Sequence, residues 1–432
     1  MKKHLSWNNI PNIKPEQTEI IVSTDYKMDK LVSPYTIYGL GKSYGDVCLT
    51  EEGTLLISKG LDRLIEFDVM QGTIKSESGV SLDEILRLIT REGWFIPVVP
   101  GTRFITIGGA LANDIHGKNH HKTGSFGNFV RKFELLRSDG ERIICSKKNN
   151  QELFYATIGG LGLTGLITWV EIDLISIANQ FMQTRRDRFE HLDDYWLLNE
   201  QLEDKWNYTV AWIDCMAREE SLGRGVFHSG NHSVQESSLP KYRGIKLTFP
   251  IEPPFSLITN LESKLVNNLY YKLNSRKENM LKHYQPFFFP LDSINSWNRV
   301  YGKKGFFQYQ CVIPPENSKV GAKEILRTIK KSNQNSYLGV LKDFGDIRSK
   351  GLLSFPRPGT TLALDFPNKG EETLGLFNKL DNIVSEFNGA LYPAKDARMS
   401  GEMFRTSFPK HEEFSKFIDP KFSSNFWKRV SQ

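Results

Sequence analysis

The sequence has few cysteines and no long apolar run. Its four cysteines, Cys48, Cys145, Cys215 and Cys311, are widely spaced and include no C-x-x-C pair. This pattern favours reduced thiols over a disulfide framework or a zinc site. No apolar run approaches the roughly 18 to 20 residues that a membrane span needs. The first residues, MKKHLSWNNIPNIKPEQ, contain no apolar stretch, so we expect no signal peptide and a cytoplasmic protein.

The sequence also lacks a concentrated positive charge. The net charge is +6 over 432 residues, and lysine and arginine alternate with acids along the chain. Proteins that bind nucleic acids usually concentrate their basic residues, so no nucleic-acid partner is predicted. An anionic substrate or an anionic membrane surface fits this charge. A hydrophobic content of 39% excludes disorder, and the length allows two or three globular lobes.

Local signals in the first 175 residues indicate an α+β lobe. Residues 165–175 alternate in the manner of a strand, and residues 133–146 predict a hairpin that turns at an Asp-Gly pair. Ser81 and Glu84 form a predicted capping box at the start of an amphipathic helix that Gly93 ends.

Residues 249–277 begin with a proline-broken segment and continue as an amphipathic basic stretch. One interpretation is a surface helix packed on its lobe, and the other is a mobile lid or a membrane-facing segment. If the stretch is a lid, limited proteolysis is expected to cut there first, at Lys264, Lys272 or Arg276.

Two glycine motifs resemble nucleotide-binding fingerprints but fail their tests. The stretch YGLGKSYGDVCLT ends a would-be phosphate loop at Lys42, yet Thr36 stands where that motif needs glycine. The sequence after Lys42 is rich in turn residues, so no helix is expected there. The motif GLGLTG (160–165) follows a predicted helix and precedes a strand, which reverses the order of a Rossmann unit. Kinase and Rossmann chemistry are therefore not predicted.

A histidine-rich segment raises the alternative of a metal site. DIHGKNHH (114–121) holds three histidines, and HSGNH (228–232) adds a pair. Neither has a known ligand spacing, so no metal is predicted. A histidine here is more often a hydrogen-bonded core residue than a catalyst, although the adjacent Lys118 favours contact with an anionic ligand.

Glycine-rich loops recur in YGLGKSYGD, in PGTRFITIGGALANDIHGKNHH and in GSFGN. Consecutive backbone N–H groups in such loops can form a nest for a pyrophosphate without a helix N-terminus. Three such loops indicate a long dinucleotide wrapped by backbone.

These loops carry a family resemblance. GLGKSYGD, PGTRFITIGGALANDIHGKNHHKTGSFGN and ELFYATIGGLGLTGLI resemble the flavin lobe of the vanillyl-alcohol-oxidase-type FAD oxidoreductases. Within these, the chain is most similar to the family of oxidase subunits of decaprenylphosphoryl-β-D-ribose 2'-epimerases. Residues 287–314, 353–367 and 389–398 extend the resemblance over nearly the whole chain. It implies a two-part FAD-binding lobe, residues 1–179 and 389–432, with an inserted α+β substrate lobe, residues 180–388, built on an antiparallel sheet.

The resemblance also implies site residues. The cofactor would contact Ile37, Tyr38, Gly39, Leu40, Gly41, Lys42, Ser43, Tyr44, Gly45, Asp46, Val47, Gly101, Thr106, Ile107, Gly108, Gly109, Asn113, Asp114, Ile115, His116, Ile167 and Tyr392. The substrate would contact Tyr44, Lys118, Gln308, Gln310, Lys342 and Lys395, with Lys395 as the main catalytic residue and Lys118 and His116 in support. Ala363 stands where mycobacterial members carry a cysteine.

Non-covalent FAD is expected. Covalent relatives attach the flavin through a histidine of the first glycine loop, where this chain has Lys42, and no cysteine lies between Pro100 and Asn128.

The implied activity is FAD-dependent oxidation of a sugar secondary alcohol, at C2' of a polyprenyl-phosphate-linked pentose. A separate NAD(P)H-dependent short-chain reductase would complete a 2'-epimerisation in cell-wall or glycan biosynthesis, and the enzyme would contact the inner face of the membrane peripherally. One alternative is an oxidase or dehydrogenase of a free sugar, an alditol or a nucleotide-linked sugar. A third, of another class, is a non-catalytic flavin-binding partner subunit.

Overall fold

The computed structural model describes residues 4–28, 31–235, 242, 244, 246–274, 277–336 and 338–432. Over these residues the chain forms a mixture of helices and mainly antiparallel sheets. The four cysteines are free, as predicted. No helix in the described ranges combines the length and apolar character needed to cross a bilayer.

The secondary-structure elements are numbered in chain order. The strands are β1 Gln17–Ile20, β2 Tyr35–Tyr38, β3 Thr54–Ile57, β4 Leu64–Asp68, β5 Thr73–Glu77, β6 Trp94–Phe95, β7 Val130–Leu136, β8 Arg142–Ser146, β9 Leu166–Asp173, β10 Ile175–Ser176, β11 Phe181–Phe189, β12 Tyr208–Ile213, β13 Gly225–His232, β14 Leu247–Thr248, β15 Lys277–His283, β16 Ile294–Asn295, β17 Phe306–Ile313, β18 Gly339–Phe344, β19 Gly359–Pro367 and β20 Ala390–Leu391. The α-helices are α1 Leu82–Ile89, α2 Ile107–Ala112, α3 His120–Thr123, α4 Gln151–Thr157, α5 Leu192–Leu202, α6 Asn260–Leu273, α7 Tyr284–Phe288, α8 Ser318–Lys331, α9 Glu371–Glu386, α10 Gly401–Ser407, α11 His411–Ser415 and α12 Asn425–Val430.

The described part of residues 1–179 contains three sheets, one of which is the short pair β6–β10, and it follows its local signals. A parallel sheet has the order β1-β3-β2, and an antiparallel sheet has the order β4-β5-β9-β7-β8. The predicted hairpin is confirmed, since β7 and β8 pair across the Asp-Gly turn. The capping box is also confirmed: Ser81 accepts a hydrogen bond from the Glu84 N–H, and the Glu84 carboxylate accepts one from the Ser81 N–H. The short helical turn that follows α1 ends at Gly93, which adopts the left-handed conformation.

Strands between residues 181 and 391 form an antiparallel sheet of eight strands, in the order β15-β11-β13-β12-β18-β19-β17-β20. Successive side chains of a strand point to opposite faces, so each strand here has one apolar and one more polar face. The apolar face, with Phe307, Leu362 and Leu364, joins the core that also includes residues of α8 and α9. The opposite face, with Gln308 and Ala363, lines a cavity.

The end of the chain returns to both regions. Strand β20 pairs with β17 of the eight-stranded sheet. Beyond it, Phe422 forms a bridge with Tyr35 of β2, and Arg429 forms an ion pair with Asp46 at 2.6 Å. The same C-terminal segment therefore touches the glycine-loop region and the large sheet. The division into lobes at residues 179/180 and 388/389 stays a prediction.

Candidate active site

A cavity of about 920 Å³ lies between the glycine loops and the polar face of the eight-stranded sheet. Most predicted cofactor residues line it: Ile37, Gly39, Leu40, Gly41, Lys42, Ser43, Tyr44, Val47, Gly101, Thr106, Gly108, Gly109, Asn113, Ile115, His116, Ile167 and Tyr392. All six predicted substrate residues, Tyr44, Lys118, Gln308, Gln310, Lys342 and Lys395, line the same cavity. The structure thus brings both predicted groups to one space.

Five predicted cofactor residues do not line the cavity. Their contacts are with protein groups next to the cavity wall. The Tyr38 hydroxyl donates to the Leu5 carbonyl at 2.8 Å. Gly45 has a φ of +140°, and a side chain there would collide with the Asp396 carbonyl oxygen. The other three are held within the protein: Asp46 pairs with Arg429, Ile107 is fully buried in a core, and Asp114 accepts hydrogen bonds from Ser125, Ser354 and the Gly127 N–H.

The first glycine loop offers unpaired backbone N–H donors to the cavity. The backbone N–H groups of residues 40–43 donate no hydrogen bond to any described residue. No helix follows Lys42, as predicted, so this loop is a backbone nest rather than a Walker loop. The Lys42 ammonium lies 3.5 Å from the centre of the Trp7 ring, and burial lowers its pKa to about 8. The backbone N–H donors of this loop and the Lys42 cation, at one wall of the cavity, are suited to binding a diphosphate.

The opposite part of the wall is suited to a flat, hydrogen-bonding ring. A side chain at Gly101 would meet no atom within 4 Å, so the wall is open there. The Asn113 Oδ1 and Ser78 Oγ atoms are buried at the lining without a hydrogen-bond partner among the described residues. Buried polar atoms are rarely left unpaired, so these two fit a cofactor that pairs with them. Ile115 and Ile167 add apolar surface for the ring.

His116 is held by two neighbours from the large sheet. The Lys342 ammonium lies 2.6 Å from His116 Nδ1 and also donates to the Gly117 carbonyl at 2.6 Å. The Gln310 amide contacts Nε2 at 3.0 Å. Burial, together with the charge of Lys342, lowers the pKa of His116 well below its ordinary value. The ring is therefore neutral, and each of its nitrogens lies beside one of these two side chains.

Three of the lysines that line the cavity, Lys118, Lys342 and Lys395, differ in the hydrogen bonds that they make. Lys118 donates to the Phe288 carbonyl at 2.9 Å, and Lys342 is bound to His116 and Gly117. The Lys395 ammonium makes no hydrogen bond to a described residue, and it lies 3.7 Å from the centre of the Tyr44 ring. Burial lowers the pKa of Lys118 and of Lys395 to about 8, and it lowers that of Lys342 well below its ordinary value. Of these three ammonium groups, that of Lys395 has all of its N–H donors available to a ligand.

Asp365 is a site residue that the sequence predictions missed. Its side chain lines the cavity and the residue is 1% exposed. The Gln308 amide, directly across the strand pair β17–β19, donates to Oδ1 at 2.5 Å, while Oδ2 has no partner among the described residues. Burial raises the pKa of Asp365 to about 7, and the charge of Lys395 partly opposes this shift. The alternation Thr361, Ala363, Asp365 along β19, all of which line the cavity, was the available signal.

The histidine-rich segments form no metal cluster. Within the described ranges, no group of three or more histidine, cysteine, aspartate or glutamate residues is arranged to hold an ion. His116 and His120 lie instead against the Phe344 ring, and His121 contacts the Trp206 carbonyl at 3.1 Å.

Comparisons with known proteins agree with this geometry. Residues 13–146 match the FAD binding domain family. The chain is 35% identical over 410 residues to decaprenylphosphoryl-beta-D-ribose oxidase of Mycolicibacterium smegmatis, covering 91% of this chain and 88% of that protein. The chain belongs to the vanillyl-alcohol-oxidase-type FAD-dependent oxidoreductases. It is also 28% identical over 372 residues to an uncharacterized Streptomyces coelicolor protein, covering 81% of this chain and all of that one. Over 122 residues it is 29% identical to human delta(24)-sterol reductase, 28% of this chain and 23% of that enzyme.

Membership of this family identifies the cofactor as FAD and the protein as an oxidoreductase. The cavity fits that cofactor, because the free N–H groups of the first loop suit its pyrophosphate and the unpaired Asn113 and Ser78 oxygens suit its ring. The individual roles of the lining residues, and the non-covalent mode of attachment, stay predictions.

Proposed function

We propose that the enzyme oxidises the C2' hydroxyl of a polyprenyl-phosphate-linked pentose to a ketone. The support is twofold. The relative with 35% identity over most of both chains is named as an oxidase of decaprenylphosphoryl-beta-D-ribose. The cavity beside the FAD loops is lined by the hydrogen-bonding and cationic groups that a sugar phosphate requires.

The observation that carries the proposal is the polar face of the eight-stranded sheet. Gln308, Gln310, Lys342 and Asp365 occupy alternating or paired positions of β17, β18 and β19, and all line the cavity. Amides and carboxylates bind sugar hydroxyls, and Lys342 holds His116 beside them. The apolar face of the same strands is buried against helices, so the polar residues are held on rigid backbone.

Alcohol oxidation requires removal of a hydride from carbon and of a proton from oxygen. FAD, when bound, supplies the hydride acceptor, and the protein must handle the proton. In our proposal Oδ2 of Asp365 accepts the hydroxyl proton, since this buried carboxylate oxygen has no partner among the described residues and Asp365 lines the cavity. Lys395 stabilises the negative charge that develops on the substrate oxygen, because its ammonium has no other hydrogen-bond partner among the described residues.

The other residues position these groups. Gln308 holds Oδ1 of Asp365 and so orients Oδ2. Tyr44 holds the Lys395 ammonium over its ring, and burial keeps the pKa of its hydroxyl well above the ordinary value, so that it remains a neutral hydrogen-bond donor. Lys342 and Gln310 contact the neutral His116 ring and hold it at the wall of the cavity. The 2'-keto product would then pass to a separate NAD(P)H-dependent reductase.

Anaerobic bleaching of the flavin tests the proposal. A polyprenyl-phosphoryl pentose in detergent is expected to bleach the bound flavin, and the polyprenyl phosphate without a sugar, as the control, is expected to leave it oxidised. Mass spectrometry of the product should show the loss of two hydrogens from the sugar. Bleaching by free sugars or alditols in plain buffer, but not by the lipid-linked sugar, would contradict the lipid-linked substrate. If no alcohol bleaches the flavin, the non-catalytic interpretation gains support.

A further inference from the structure

Helix α6 exposes three of its leucines to solvent and buries Ser263, Asn267 and Tyr271. Leu265, Leu269 and Leu273 are 62%, 57% and 68% exposed, and their spacing of four places them on one stripe. We call these three residues the leucine ridge. An amphipathic helix on a globular protein normally turns such a stripe to the core. An exposed apolar stripe of this kind marks an interaction site.

Polar contacts hold the helix in this orientation. Asn267, 1% exposed, donates to the buried Asp214 carboxylate at 3.0 Å. Tyr271 donates to the Phe189 carbonyl at 3.2 Å, and the Arg224 guanidinium lies 4.6 Å from the centre of its ring. Turning the helix to bury the ridge would leave these buried groups without partners, which is costly. The exposure of the ridge is therefore built into the fold.

The ridge borders the substrate cavity. Val266 and Tyr270, on the adjacent stripe of α6, line the cavity, and the Tyr270 ring lies 4.7 Å from the Trp212 ring. The segment before the helix is also apolar and exposed, at Leu247, Ile251, Phe255 and Leu257. Its strand β14 pairs with β16, whose residues line the cavity. Exposed apolar surface thus lies next to cavity-lining residues both on α6 and on the segment that precedes it.

The charges around the ridge favour an anionic partner. Lys264, Lys272 and Lys277 are exposed and form no ion pair with the described residues. The nearby acids are engaged: Glu262 accepts the N-cap hydrogen bonds of α6, and Glu278 pairs with Arg185 at 3.5 Å. An apolar stripe flanked by unpaired lysines has the composition of a helix that lies in a bilayer interface.

We propose that the leucine ridge docks the enzyme on an anionic phospholipid surface and turns the cavity toward the bilayer. The proposal rests on the proposed function for its purpose, since a polyprenyl chain would remain in the membrane while its sugar enters the cavity. Lipid binding itself requires no substrate. Its test therefore fails or succeeds independently of the flavin-bleaching experiment.

Vesicle co-sedimentation of the FAD-loaded protein tests this docking. We expect binding to vesicles of phosphatidylcholine with phosphatidylglycerol, and weaker binding at high salt or with phosphatidylcholine alone. The variant Leu265→Ser/Leu269→Ser/Leu273→Ser should lose at least tenfold in apparent affinity. The matched control Met70→Ser/Leu197→Ser/Val320→Ser replaces exposed apolar residues outside the cavity and should bind as the wild type does.

Two further measurements keep the result interpretable. The thermal midpoint and flavin absorbance of the ridge variant should match those of the wild type, because the replaced side chains are exposed. Light scattering reports whether the ridge instead joins two copies of the chain. The proposal is overturned if the wild type does not bind the mixed vesicles, if the ridge variant binds them equally well, or if the ridge variant only dissociates an oligomer.

Discussion

Replacing Lys395 by methionine should slow substrate-driven reduction of the flavin without loss of FAD. Methionine keeps most of the stem and removes the charge, so the packing on Tyr44 is largely retained. The ammonium donates no hydrogen bond to the described residues, so no protein partner is left unpaired. The variant should purify yellow, with FAD occupancy near that of the wild type.

The size of the effect follows from the environment of the ammonium. Burial lowers its pKa from 10.5 to about 8, which shows that the charged form is poorly solvated in the protein without substrate. A unit charge about 4 Å away is worth about 4 kcal/mol at an effective dielectric constant near 20, and a half-developed charge about 2 kcal/mol. These energies correspond to rate losses between about 30-fold and about 1,000-fold. We therefore expect a loss on the order of 10².

Anaerobic stopped-flow measurement of flavin bleaching gives the rate directly. Lys75→Met is the matched control, because the Lys75 ammonium also lies over an aromatic ring, 3.8 Å from the centre of Trp169, but does not line the cavity. It should leave the rate unchanged. If Lys395→Met reduces at the wild-type rate, the charge has no role and Lys118 becomes the next candidate. If the variant loses its FAD, Lys395 serves to bind the cofactor.

The pH profile, the flavin linkage and the protease sensitivity have expected outcomes too. Because the pKa of Asp365 is raised to about 7 and that of Lys395 is lowered to about 8, the bleaching rate should rise through about pH 7 and fall above about pH 8. Asp365→Asn should lose the acidic limb, and a rate that climbs through pH 8 would instead make Lys395 the base. Acid precipitation should leave the yellow colour in the supernatant, and a yellow pellet would mean covalent FAD. Limited proteolysis should cut first at Lys264 or Lys272, and earlier cleavage elsewhere would contradict a lid; the third predicted site, Arg276, lies outside the described residues.

Local features of this fold were readable from sequence because neighbouring residues determine them. The capping box of Ser81 and Glu84 needs only a spacing of three, and the hairpin at residues 133–146 needs only its Asp-Gly turn. The reversed order of helix and strand around residues 160–165 was likewise visible, and α4 followed by β9 confirms it. Such signals depend on residues a few positions apart in sequence and not on the rest of the fold.

Features that depend on contacts between distant parts of the chain could not be predicted from the sequence. The stretch at 249–277 was predicted to be a surface helix packed on its lobe, or else a mobile lid or a membrane-facing segment, but the burial of its polar residues Ser263 and Asn267 was not predicted. That orientation depends on Asp214, which is distant in sequence and accepts the Asn267 hydrogen bond. The importance of Asp365 likewise depends on Gln308 across the sheet. In sequence, Asp365 is a single acid in an apolar strand.

The return of the chain end to the first loop also affects the order in which the site can form during synthesis. Tyr44 donates its N–H to the Ala394 carbonyl, and Gly45 lies against Asp396, so the loop reaches its final form only against residues made much later in translation than the loop itself. Strand β20, which precedes Lys395, adds to a sheet edge that must already exist. Chains grow from the N-terminus, and early segments can fold first. A ribosome-bound chain that has not yet reached residues 390–397 therefore lacks both the contacts that support the loop and Lys395, and the candidate site cannot form until those residues have been made.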